Sequence, residues 1–190
     1  MTVPSQTAEI FEILGKGQFI CSNSTNISIR QLYSIIEDEE NYENLYDYFR
    51  SINFILEKGD EYFYFSRVED KAGLERKITN AFKWIDILDF LKTFDNSFGS
   101  GFRFTPSDIL VRIKIDAELE TKLEGLKKHT NKEKHQEIIE RVLVLMTSDS
   151  FLELENPNTH QYKVLSSFKY LEQLILTINI PDAVRNEIPE

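Results

Sequence analysis

Apolar residues recur along this chain with two different periods, and the places where the period changes mark its elements. Ile10, Phe11 and Leu14 share one side of a first helix, with Thr7 placed to cap it. Gly15-Lys16-Gly17 ends that helix, glycine supplying a left-handed C-cap. Residues 18–22 read as a short extended piece. Ser28-Ile29-Arg30-Gln31 has the form of a capping box, and Ile29, Leu32, Tyr33 and Ile36 follow at helical spacing. An acidic run at 37–40 leads into a third helix with Leu45, Tyr48, Phe49 and Ile52 along one face. The period then falls to two. Residues 53–57, a turn at Lys58-Gly59-Asp60 and residues 61–66 predict a β-hairpin.

Beyond it, residues 73–94 carry the longest helical pattern, with Leu74, Ile78, Phe82, Ile85, Leu88 and Leu91 as the apolar stripe. A glycine-containing loop follows at 96–101. Thr105-Pro106-Ser107-Asp108 combines a capping hydroxyl with proline at the first helical position. Residues 109–115 alternate as a strand would, but the cap favours helix. Thr130-Asn131-Lys132-Glu133 has the form of another capping box, opening a helix with Ile138, Ile139, Val142, Leu145 and Met146. Residues 151–155, a turn at 156–159 and residues 161–165 predict a second hairpin, and a last helix spans 167–177, ended near Pro181. The expected fold is mainly α with small β-hairpins (α+β). Two winged-helix units are expected: residues 1–70 form the first, 71–180 the connecting helix and the second, and 181–190 a short polar tail.

Charge narrows the range of functions. The 190 residues carry 22 basic and 32 acidic side chains, a net charge of −10. Residues 1–70 hold 5 basic and 13 acidic residues, and 71–190 hold 17 and 19. Duplex affinity rests mainly on phosphate neutralisation, so an autonomous DNA binder is not expected, and any polyanion contact belongs to the second half. There Arg103, Arg112 and Lys114 precede a cluster containing Lys122, Lys127, Lys128, Lys132 and Lys134, with His129 and His135. Two readings stand: contact with DNA phosphates, or a solvated surface interleaved with Glu118, Glu120 and Glu124. The candidate DNA-binding residues are Arg103, Arg112, Lys114, Lys127, Lys128, Lys132 and Lys134.

No catalytic motif is present. Gly15-Lys16-Gly17 lacks the Lys-Ser/Thr ending and the preceding strand of a phosphate loop. The three histidines do not take the helical spacing of a zinc ligand pair, so neither a metal nor a cofactor is expected. The one cysteine, Cys21, suits a small core position and a reducing cytoplasm. No signal peptide is read at the N-terminus, and no apolar stretch approaches bilayer length, so no membrane association is expected. Tyr42, Tyr46 and Tyr64 either line a protein-binding groove or form the wet rim of a small core. Trp84, off the apolar stripe and beside Lys83, is expected to be exposed and to suit a dimer interface.

Several strings resemble the MukE/MksE family: Ile10-Phe11-Glu12-Ile13-Leu14-Gly15-Lys16-Gly17-Gln18-Phe19-Ile20, then Leu45-Tyr46-Asp47-Tyr48-Phe49-Arg50-Ser51-Ile52-Asn53-Phe54. The aromatic wing Tyr62-Phe63-Tyr64-Phe65 is similar too. So is Phe151-Leu152-Glu153-Leu154 with Tyr162-Lys163-Val164-Leu165, and the likeness runs in order over most of residues 8–180. The resemblance implies a tandem winged-helix protein that dimerises and clamps the kleisin subunit (MukF/MksF-like) of an SMC-like complex. In that family the ATPase is the SMC partner (MukB/MksB-like). The short tail is closer to the MksE branch, or the related plasmid-defence branch, than to the longer members. A cytoplasmic, nucleoid-associated protein follows from that likeness, with a free-standing winged-helix transcription regulator as the rival.

Overall fold

The computed structural model describes residues 2–67 and 71–177, with the side chains of 71–77, 79 and 177 outside the description. Helix α1 (Thr7–Leu14) buries Ile10 and Leu14. Thr7 does not cap it; its hydroxyl donates to the Pro4 carbonyl, and the residue is the first of the helix. Gly17, at φ 81°, supplies the left-handed turn into β1 (Ile20–Cys21). Helix α2 (Ile27–Glu37) is capped by the side chain of Asn26, which accepts from the Ser28 amide, so the cap lies two residues before the expected one. Helix α3 (Glu39–Ser51) is capped by Asp38 and buries Leu45 and Phe49, while Tyr48 and Ile52 at the margins of that face are exposed.

The first hairpin pairs β2 (Ile55–Lys58) with β3 (Tyr62–Ser66), and β1 lies on the other side of β3 in the order β1-β3-β2. A side chain at Gly59 would collide with the Tyr62 ring, 2.1 Å from an added Cβ. Glu61, at φ 67°, takes the left-handed position in that turn.

Helix α4 (Lys71–Phe94) leads into β4 (Arg103–Phe104), a strand that the pattern of positions does not announce. Helix α5 (Pro106–Ile113) has the expected Thr105 cap and Pro106 at its start, completed into a capping box by Asp108, and residues 109–113 are helix. Then follow α6 (Ala117–Gly125), a single turn α7 (Lys127–Thr130) and α8 (His135–Ser148). Residues 130–133 are a break rather than a cap: Asn131 is left-handed at φ 54°, and no side chain caps α8 at Lys134. The second hairpin, β5 (Leu152–Asn156) with β6 (Gln161–Val164), is completed by β4 in the order β4-β6-β5, and α9 (Phe168–Thr177) closes the described chain. The expected tail and Pro181 lie outside the described residues. The α+β expectation holds, and both halves repeat one plan compatible with paired winged-helix units: a lone short strand joined to the second strand of a hairpin.

Two cores result, and the first sheet stands between them. Strands expose alternate residues to opposite faces. Ile20, Phe63, Phe65 and Leu56 face the first core, with Ile10, Leu14, Leu32, Ile36, Leu45 and Phe49. Phe19, Cys21, Tyr62 and Tyr64 face the second, where they meet Trp84, Phe151 and Leu171. The Phe19 ring lies 5.4 Å from Phe151 and 5.3 Å from Tyr170.

A polar seam binds the same junction. Asn23 donates to the Val164 carbonyl at 3.2 Å and accepts from the buried Ser166 amide at 2.9 Å. Glu153 accepts from the Ser24 hydroxyl at 2.9 Å, and Lys169 reaches Asp60 at 2.7 Å.

Helix α4 departs from the expected stripe. Ala81, Trp84, Ile87, Phe90 and Leu91 are buried, whereas Ile78 is 49% and Phe82 52% exposed. Leu74 lies outside the described side chains. The helix is apolar on two faces, and the one that packs includes Trp84, which needs the wide gap above Phe151.

Because Phe19 fills the junction, Phe19→Ala should cost roughly 3–5 kcal/mol, as truncating a buried phenylalanine does. Urea unfolding of the parent should give one midpoint by circular dichroism and by the fluorescence of the single tryptophan. Asn23→Ala should cost about 1–3 kcal/mol by stranding the Ser166 amide.

Candidate functional site

The candidate residues divide into three places. Tyr42 and Tyr46 stack side by side on α3, ring centroids 6.3 Å apart and half-buried at the rim of the first core, and with Glu43 and Asp47 line a shallow groove. The Tyr42 hydroxyl donates to the Leu56 carbonyl at 3.1 Å, which fixes the ring while leaving one side open. Burial pushes the Tyr42 phenol above its ordinary value, with the Glu57 charge adding to it. The groove offers the flat area of two tyrosine rings beside two carboxylates.

Tyr64 and Trp84 are elsewhere, and together. Both line a cavity of about 270 Å³ at the junction of the halves, with Phe19, Phe151, Tyr170 and Asp149. Trp84 is 6% exposed, contrary to expectation. Its ring meets Phe151 edge-on at 5.1 Å, and Lys83 Nζ rests 4.5 Å from its centroid. Trp84 therefore offers no face to a second copy; on α4 that role is open to Ile78 and Phe82. Chain pattern alone missed this because a helix that is apolar on two faces has no single stripe to read.

The basic residues form the third place, and most are already engaged. Arg103 makes a two-pronged pair with Glu155, at 2.6 and 2.9 Å. Arg112 pairs with Asp116 at 3.5 Å, and Lys134 with Glu137 at 3.5 Å. Lys127 binds Glu124 and reaches Glu133, while Lys122 reaches Asp89 at 2.9 Å. Lys128 meets Asp86 at 2.7 Å, the same carboxylate that holds His129 at 2.6 Å. Among the described residues, Lys114 and Lys132 form no ion pair. Burial tends to raise the Asp86 carboxyl, but hydrogen bonds from Lys128 and His129 outweigh it and hold it below its ordinary value.

Cys21 is buried, and burial pushes its thiol up to about 11, against hydrogen bonding to Ser167. That thiol is a poor nucleophile. Among the described residues, no three His, Cys, Asp or Glu side chains converge as a metal ion requires. No helix among them is long and apolar enough to cross a membrane.

The described residues thus form an α+β protein built on two small three-stranded sheets, with grooves lined by aromatic rings. The chain belongs to the condensin complex protein MksE family, whose sequence model matches residues 5–175. No curated protein matches it.

The Asp86 geometry fixes a pH dependence. A carboxyl held low in the fold stabilises it above the ordinary value of 3.8, and that contribution fades as pH falls through the lowered one. Asp86→Asn should cost under about 1 kcal/mol at pH 7, the pair being partly solvated. The gap from the parent should close in strongly acidic buffer, as read by urea midpoints across pH.

Proposed function

We propose that this chain is the adaptor subunit of a bacterial condensin-type complex, acting by binding and with no chemistry of its own. It holds the kleisin subunit (MukF/MksF-like), and the SMC ATPase (MukB/MksB-like) supplies the energy. Membership of the MksE family carries this reading, because that family is described as a condensin complex protein. The Tyr42–Tyr46 groove supports it as the surface on which a kleisin segment rests, since fixed tyrosine rings give contact area at little entropic cost. The exposed Ile78 and Phe82 on α4 support a homodimer contact.

DNA enters this reading as a partner of the assembled complex. Five of the seven candidate cations, Arg103, Arg112, Lys127, Lys128 and Lys134, are neutralised within the chain, leaving Lys114 and Lys132 for phosphate. Binding by the lone chain is therefore weak and salt-sensitive. The rival, a free-standing transcription regulator, meets the acidic surface of α2 and α3, where Glu37, Asp38, Glu39, Glu40, Glu43 and Asp47 repel a phosphate backbone. Chromosome organisation and plasmid defence would use the same adaptor contacts, in a cytoplasmic, nucleoid-associated complex.

Light scattering after size-exclusion chromatography, on the chain alone and with the kleisin from the same genome, tests the proposal. A dimer that shifts into a defined heteromeric complex is expected, and Tyr46→Ala should weaken that complex on the order of tenfold or more. A chain that ignores the kleisin yet retards duplex DNA at physiological salt would make it a regulator instead.

A further inference from the structure

The cavity at the junction of the halves differs in kind from the groove on α3. Its walls are rings: Phe19 and Tyr64 lie 5.6 Å apart, Tyr64 and Tyr170 5.1 Å, Phe19 and Phe151 5.4 Å. Trp84 completes the wall beside Phe151. One charged group lines it, Asp149, at the end of α8. Among the described residues, this carboxylate makes neither a hydrogen bond nor an ion pair. It is half-buried, and burial raises its pKa against the opposing charge of Lys83.

An unpaired carboxylate among aromatic faces is an incomplete arrangement. The negative faces of several rings and a desolvated anion both attract the same thing, a cation of low hydration. Lys83 shows the attraction locally, since its ammonium rests on one face of Trp84 without pairing to Asp149. A planar guanidinium fits better than an ammonium, because it stacks on rings and forks onto a carboxylate at once.

We propose that this cavity is a receptor site for an arginine side chain of a partner polypeptide, with Asp149 as its counter-ion and the half-buried Tyr64 and Tyr170 as its stacking walls, backed by the buried Phe19, Trp84 and Phe151. Occupancy ties the partner to both halves together, because Tyr64 comes from the first sheet and Tyr170 and Asp149 from the second half. Lys83 competes for the same field, so its removal tightens the site.

The chain has a single tryptophan, and it lines this cavity, so its fluorescence reports occupancy directly. The full chain is titrated with ethylguanidinium chloride, and in parallel with neutral ethylurea at matched ionic strength. A saturable change with the cation and none with the urea is expected. Asp149→Asn should weaken binding roughly tenfold or more, the cost of losing a charge-assisted pair. Lys83→Gln should strengthen it. Equal responses to both compounds, a change that never saturates, or unaltered affinity in a folded Asp149→Asn chain would each overturn the proposal. Carboxyl NMR of the unmodified chain gives a second reading that needs no variant. Ethylguanidinium should lower the pH at which Asp149 titrates, and no displacement would also overturn the assignment. The site is read from this chain alone, so its failure leaves the kleisin reading standing, and the absence of a kleisin complex leaves the site standing.

Discussion

The two cores of this protein meet at strand β3, which is packed on both faces. Tyr62 and Tyr64 point into one core, Phe63 and Phe65 into the other. A strand in the middle of a three-stranded sheet has its backbone satisfied on both edges; this one has its side chains covered on both faces too. Tyr62 and Phe63 are buried and Tyr64 and Phe65 half-buried, which removes a large apolar area from water on both faces of the strand. The helices of the first half are held against one face, and the second core against the other.

That constraint explains the behaviour of α4. Helix α4 turns one face into the second core, the face that brings Trp84 onto Phe151. Ile78 and Phe82 are left outward as a result. The polar seam of Asn23, Glu153 and Lys169 then fixes the angle between halves, since each bond joins residues more than a hundred positions apart in the chain.

Much of this was legible in the order of residues. Hairpin turns, the Thr105 cap and the apolar faces of α1, α2 and α8 follow from local rules that tertiary packing left undisturbed. What escaped is what depends on distant partners. Helix starts near Thr7, Ser28 and Thr130 were misplaced because several hydroxyl and amide side chains compete as caps, and the winner is set by where the preceding chain comes from. Strand β4 is two residues long and exists only by pairing with β6. One signal was available and passed over: Tyr62-Phe63-Tyr64-Phe65 does not alternate with polar residues, and an unbroken apolar strand is the mark of burial on both sides. Of the candidate sites, the Tyr42–Tyr46 pairing follows from helical spacing, whereas the meeting of Tyr64 with Trp84, and the presence of Asp149 beside them, required the fold. Within the basic cluster, the pairs Arg112–Asp116, Lys127–Glu124 and Lys134–Glu137 lie within one helical turn and were open to a reading of spacing, whereas Asp86, Asp89 and Glu155 approach from other elements.

The doubly covered sheet also bears on ancestry. Two halves with the same strand plan invite the thought of interchangeable modules, assembled by duplication and free to be traded between relatives. Yet the second half lacks a complete interior of its own, since Phe19, Cys21 and Tyr62 supply part of it. A replacement at Tyr62 or Tyr64 must be answered by a change near Phe151 or Tyr170, far along the chain. The halves are bound to drift together, so lineages of this protein should inherit it whole, and recombination points between the hairpins should be rare among surviving descendants.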